Sequence, residues 1–258
     1  MKKIIFLAIA ANALFSSCIK DEDNNKAGIF KGSETEVFDG KAWTWVQLNK
    51  QGIPQRVAVS INDDALNSVS SGDGSSPDGH QHDPNIVLNF HPKAGVTLFK
   101  HAWLVWNPNG HPPVGVYTKP HFDIHFYMVP SEERVTFTDP VKLNAAPPME
   151  YLPANYIGTV AQPARGKHWI DRTSPELSTT NPQPFTQTFV YGTYDSRVLF
   201  YEPGITLEFL KNTTNFERPI PQPAKFEKSG YYPTKMRIVK HDKVTEIILD
   251  DMVFRTAS

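Results

Sequence analysis

Pro120-His121-Phe122-Asp123-Ile124-His125-Phe126-Tyr127 is the stretch that decides how this chain is read. Side chains on a strand alternate faces with a period of two, so His121, Asp123, His125 and Tyr127 share one side while Phe122, Ile124, Phe126 and Met128 share the other. The apolar side belongs to a core. The other side carries an aspartate, a residue depleted in strands, between two histidines, and this is where activity is to be sought.

The rest of the chain supports a β protein. Twenty-two prolines, 16 phenylalanines and nine tyrosines in 258 residues disfavour long helices and suit pleated surfaces with ordered loops. The expected class is all-β, an antiparallel β-sandwich or barrel-like single domain from Gly32 to Ser258 with long Pro-rich loops. Ala42–Leu48 and Arg56–Ile61 read as a hairpin across Asn49–Pro54. Further strands are expected at Asn85–Phe90, Ala102–Trp106, Val114–Val129 and Arg134–Phe137. Others follow at Phe185–Tyr194, Arg197–Tyr201, Thr206–Leu210, Thr234–Val239 and Val244–Leu249. Helical turns are expected only at Asp63–Leu66, Ser131–Arg134 and Pro175–Leu177. Asn144–Pro184, rich in Pro, Asn and Thr but studded with aromatics, reads as a loop packed over the domain.

The N-terminus points out of the cytoplasm. Met1-Lys2-Lys3 is basic, Ile4–Phe15 is apolar apart from Asn12, and Ser16-Ser17 precede Cys18, the sole cysteine. About 12 apolar residues are too few to span a bilayer of roughly 30 Å, so residues 1–17 read as a secretory signal peptide. The small-small-Cys ending resembles a bacterial lipobox, which implies lipidation of Cys18 and a membrane partner through that lipid. Residues 18–31 are expected to be the acylated cysteine and a flexible tether, Lys20-Asp21-Glu22-Asp23 resembling the acidic export signal of surface lipoproteins. The expected address is the cell envelope, on an outer-membrane lipoprotein held periplasmically or at the surface. A lone cysteine also excludes an intrachain disulfide, and the net charge of −1 gives no reason to expect nucleic acid.

Strand geometry limits what the central stretch can bind. With a rise of about 3.3 Å per residue, positions i and i+2 lie roughly 6.6 Å apart and can share an ion, whereas i and i+4 are about 13 Å apart. Asp123 can therefore join His121 or His125, but both histidines reach one ion only if fully extended or on a bent strand. Further donors are His168, in Gly166-Lys167-His168-Trp169-Ile170-Asp171, Glu202, in Phe200-Tyr201-Glu202-Pro203, and His111, in a turn feeding the strand. The candidate metal ligands are His121, Asp123, His125, His168 and Glu202. Histidine with carboxylate suits zinc, which activates water, or iron in a facial triad. A hydrogen-bonded strand face that binds no metal, holding a ligand or a subunit instead, stands beside this reading. A concave setting for the three strand residues would favour chemistry, and flat solvent would not.

His80-Gln81-His82-Asp83 lies in a Ser/Gly/Asp-rich loop and is a weaker metal candidate. Nucleophile elbows, P-loops and dinucleotide fingerprints are missing from the sequence.

Several blocks together carry a resemblance: Trp106–Pro113, Gly115-Val116-Tyr117, Pro120–Tyr127, Gly166–Asp171, Phe189–Asp195 and Phe200–Pro203. In this order they resemble a bacterial family of unknown function, represented in Thermus and in many lipoproteins. The resemblance covers most of the domain. It implies a β-rich extracytoplasmic domain able to form homo-oligomers, and it implies no reaction and no catalytic residue.

Overall fold

A computed structural model describes residues 27–69 and 85–258. The chain runs through β1 (Gly28–Lys31), β2 (Thr35–Val37), β3 (Gly40–Leu48), β4 (Pro54–Asn62), α1 (Asp63–Ser68), β5 (Asn85–Asn89), β6 (His101–Asn107) and β7 (His121–Tyr127). Two short helices, α2 (Ser131–Arg134) and α3 (Pro140–Asn144), lead into β8 (Tyr156–Gln162), β9 (Gly166–Asp171), β10 (Gln187–Tyr194) and β11 (Arg197–Thr206). The chain then forms α4 (Leu207–Asn212), β12 (Asn215–Pro219), β13 (Gly230–His241) and β14 (Val244–Arg255).

These strands form two antiparallel sheets packed as a sandwich. One has the order β1-β3-β4-β14-β13-β12, with β2 added on β3; the other has the order β5-β6-β7-β11-β10-β9-β8. The all-β expectation holds, and of its two forms the sandwich is the one adopted. Phe122, Ile124 and Phe126 of β7 join Val46, Val57, Val59, Ile247 and Leu249 of the opposite sheet in one buried cluster. Burying a phenylalanine or isoleucine is worth about 1.5–3 kcal/mol, so the apolar face of β7 is a strong anchor for the strand.

The second face of β7 is covered as well. A layer of loops and short helices lies over it, built around two smaller apolar clusters. Trp103, Tyr127, Phe137, Leu143 and Phe200 form one of them, and Tyr117, Ile170, Phe185 and Val190 form the other. His121, Asp123 and His125 are consequently buried rather than solvated.

Local sequence accounts for most departures from expectation. The strand expected from Val114 begins only at His121, because Pro112, Pro113 and Pro120 lack N–H donors and residues 113–117 close a turn, with Val116 N–H donating to Pro113 O at 3.0 Å. Arg134–Phe137 is not a strand: Arg134 ends α2, and Phe137 N–H turns back onto Arg134 O at 3.1 Å. Thr206–Leu210 is helical from Leu207, since the Thr206 side chain caps the helix by accepting from Phe209 N–H at 3.2 Å. Helical turns also form at Pro92–Val96, Pro140–Asn144 and Met149–Tyr151, each with a proline at its start or just before it. The expected turns at Ser131–Arg134 and Pro175–Leu177 are present, and α1 starts at Asp63 under an Asn62 cap.

Two corrections matter for the site. Asn144–Pro184 is not simply a loop, because it contains the β8–β9 hairpin. Arg197–Tyr201 continues through Glu202-Pro203-Gly204 to Thr206 as one strand, which places Glu202 in mid-sheet rather than at a strand end. Pro203 cannot donate to β7, and the ladder skips it, resuming at Gly204 opposite Asp123. At the N-terminal end, Gly28–Lys31 belongs to the sheet and not to a tether, since these residues pair with Trp45–Leu48. The signal sequence, Cys18 and His80-Gln81-His82-Asp83 lie outside the described residues.

Candidate metal centre

The buried polar face of β7 divides into two clusters. In the first, His121 Nε2 lies 3.4 Å from Asp123 Oδ1, and His111 Nε2 lies 3.4 Å from Asp123 Oδ2. Asn107, at the end of β6, donates from Nδ2 to Asp123 Oδ2 at 2.8 Å. In the second, His125 Nε2 and His168 Nε2 approach Glu202 Oε2 at 3.3 and 3.2 Å. Within each set of three, one ligand atom per residue lies within 4.8 Å of the others, so each set can hold a metal ion.

The surrounding chain explains how these side chains meet. His111 is brought back over the strand by a loop in which Gly110 takes φ +65° and packs against the Tyr117 carbonyl, a position closed to a side chain. His111 N–H then donates to Tyr117 O at 2.9 Å. His168 reaches Glu202 from β9, with β10 lying between β9 and β11. On β10, Gly192 opposite His168 leaves room for the Phe200 ring, whose centroid lies 5.2 Å from that of His125 and 5.3 Å from that of His168.

The second ring nitrogens define the chemistry. His121 Nδ1 lies 2.7 Å from Lys119 O, His111 Nδ1 lies 2.7 Å from Pro112 O, and His168 Nδ1 lies 3.3 Å from Val160 O. A carbonyl only accepts, so in these contacts Nδ1 carries the proton, and in the neutral ring Nε2 presents a lone pair toward a carboxylate. Two acceptors facing one another at such distances repel unless the ring is protonated or a cation lies between them. Backbone-oriented histidines converging through Nε2 are the usual setting of metal ligands.

Electrostatics differ between the clusters. Burial disfavours charge on His111, yet the contact with Asp123 and its charge outweigh this and raise its pKa to about 9. Burial would raise Asp123, but His111 and His121 hold it well below the usual carboxylate range. His168 is also raised, the Glu202 charge overcoming the opposing burial. His125 behaves in the opposite way. Burial dominates, the Glu202 charge offsets it only in part, and its pKa falls to about 4. Neither ring nitrogen of His125 has a hydrogen-bond partner among the described residues, and Glu202 Oε2 has none either. A neutral, unbonded imidazole beside a buried carboxylate oxygen is costly without something between them.

All five residues singled out by sequence lie in these clusters, together with His111. His121 and His125 head separate sets, Asp123 belongs with His121, and His125 belongs with Glu202 and His168. Sequence reasoning passed over Asn107, because a single asparagine before a turn carries no signal of its own. Asp123 pairs with Gly204 across the strands and Glu202 lies two residues along, so the carboxylates are diagonal neighbours on one face, about 7–8 Å apart at Cα. Each carboxylate serves its own set of three donors.

His111, His121, Asp123, His168 and Glu202 all line one cavity of about 490 Å³. This is within the usual size of a small-molecule site, roughly 300–1,000 Å³. Fold and site together define an antiparallel β-sandwich with two buried histidine-carboxylate clusters beside one cavity. No family model, no curated protein and no solved structure matches the chain.

Proposed function

We propose that the two clusters are divalent-metal sites, with zinc or iron as the cofactor, in a lipid-anchored protein of the cell envelope. The observation that carries this reading is the shared orientation of His111, His121 and His168, each with Nδ1 on a backbone carbonyl and Nε2 on a buried carboxylate. Three protein donors per ion leave room for a water or ligand from the cavity, which is the arrangement of catalytic rather than purely structural zinc. A zinc-bound water can act as a nucleophile near neutral pH, and an iron held by two histidines and a carboxylate leaves open positions for a substrate.

A second reading is favoured by the raised pKa of His111. His111 and Asp123 can form an ion pair without metal, making the clusters a charged network that holds a ligand with no turnover. Asp123 and His121 are buried while His111 is part-exposed, so a ligand or a second subunit would meet this network at His111.

Elemental analysis of the purified full-length protein separates the two. Stoichiometric zinc or iron is expected, together with a melting temperature that rises on metal addition; saturation at about 1,000 times Kd stabilises by about 4 kcal/mol. Asp123→Ala should remove one equivalent and Glu202→Ala the other. A wild-type protein that holds no stoichiometric metal and gains no thermal stability from zinc, iron or manganese overturns the metal reading.

A further inference from the structure

The cavity has one wall that the metal clusters do not use. Arg165, in the turn between β8 and β9, is among its lining residues. Among the described residues no hydrogen bond or ion pair engages this guanidinium, which rests 4.8 Å from the centre of the Trp103 ring. Its backbone is held firmly. Arg165 N–H donates to Gln162 O at 3.1 Å, Arg165 O accepts from Tyr127 Oη at 2.9 Å, and the neighbouring Ala164 O accepts from Arg134 Nη1 at 2.6 Å. Arg134 also stacks on Trp103, at 4.2 Å, so the ring already has one cation without Arg165.

Charge and wall chemistry then restrict the occupant. With two divalent ions, two carboxylates and Arg165, the cavity carries three net positive charges when its histidines are neutral. Most of its remaining lining is apolar, including Ile170, Phe185 and Val190. A planar guanidinium takes a carboxylate or a phosphate in a two-pronged contact, and the apolar remainder of the wall favours an anion with an organic body over a bare inorganic one.

We propose that the cavity binds a small carboxylate with an apolar body, its carboxylate held by Arg165 and by the metal face, its body against Ile170, Phe185 and Val190. This rests on the metal reading above and names the ligand class of the same site. Arg165 serves as a specificity-determining residue and not as a metal ligand.

The test uses full-length protein whose metal content has first been measured, loaded with zinc for calorimetry and with cobalt(II) for visible spectroscopy. Benzoate, benzyl alcohol and inorganic phosphate serve as probes. Benzoate is expected to bind one per chain and to shift the cobalt absorption, while benzyl alcohol does neither. Arg165→Gln should weaken benzoate binding about tenfold or more with metal content and melting temperature unchanged, and Arg165→Lys should recover part of the loss. Equal benzoate affinity in wild type and Arg165→Gln, or equal binding of benzyl alcohol, overturns the proposal. Phosphate binding in preference to benzoate overturns the carboxylate class. Protein without metal overturns the centre and this inference with it, whereas metal-loaded protein that ignores benzoate overturns this inference alone.

Discussion

Asn107 decides how Asp123 can act. Its amide occupies Oδ2 at 2.8 Å, the oxygen that His111 also faces, while Oδ1 is left to His121. Partners behind a ligand typically control metal affinity by about 10–100-fold, so Asn107→Ala should weaken binding at the Asp123 cluster by that factor. The Glu202 cluster, which Asn107 does not touch, should retain its ion, and competition with a chromophoric chelator would resolve the two affinities. A different histidine makes a pH-dependent contribution to stability. His101 stacks on Tyr127, bonds Val129 O through Nδ1 at 2.9 Å and leaves Nε2 buried without a partner among the described residues. Burial lowers its pKa from 6.5 to about 4, so the unfolded chain takes up a proton that the folded chain refuses. The contribution of His101 is therefore fully present above about pH 6.5 and is lost as the pH drops toward 4, by on the order of 3 kcal/mol for a shift of this size. In chelator-treated protein, His101→Phe should show a shallower loss of denaturant midpoint between pH 7 and pH 4.5 than wild type; parallel losses would refute this.

At the scale of elements, β7 was the legible one. Its alternation of Phe122, Ile124 and Phe126 with His121, Asp123 and His125 predicts both a core face and a chemical face, and both are found. The β8–β9 hairpin was not legible. Ile157–Val160 of the edge strand β8 are all exposed, so no inside-outside alternation marks the strand, and its Gly158 and the prolines around it read as loop. Thr206–Leu210 misled in the other direction, because Ile205, Leu207 and Phe209 alternate like a strand while Thr206 caps a helix. The pairing of ligands was legible only in part. Spacing along β7 separates His121 from His125, but whether Asp123 turns toward one or the other depends on which loop and which strand approach. His111, His168 and Glu202 come from three different elements, and no local pattern encodes their meeting. The β10–β11 seam supports the second cluster in particular. A Cβ on Gly192 would run into the Phe200 ring that lies beside His125 and His168, so Gly192→Ala should cost about 1–3 kcal/mol and loosen the Glu202 site while sparing the Asp123 site. Denaturant unfolding and metal stoichiometry measure the two effects together.

At the scale of the molecule, the envelope reading rests on Met1–Cys18, which the sandwich neither requires nor contradicts. No helix among the described residues is long and apolar enough to cross a membrane, so on this reading the attachment is the lipid on Cys18. One acyl chain gives only marginal membrane binding, while the two on a diacylated cysteine hold a protein stably. Cys18→Ala should accordingly move the protein from the membrane fraction to the soluble fraction on cell fractionation, with metal content unchanged. A variant that stays with the membrane and still carries its N-terminal segment would place the anchor elsewhere.

The ligands of the two clusters are contributed by β7, β9, β11 and the loop after β6, so neither set of three exists in an unfolded chain. A protein secreted through a narrow channel before folding would leave the cytosol with nothing for an ion to grip. Loading would then happen only on arrival, and the occupant would be chosen by whatever ions circulate outside the inner membrane. Intracellular metal buffering, which normally sets the identity of a metalloprotein's cargo, would have no say in this one.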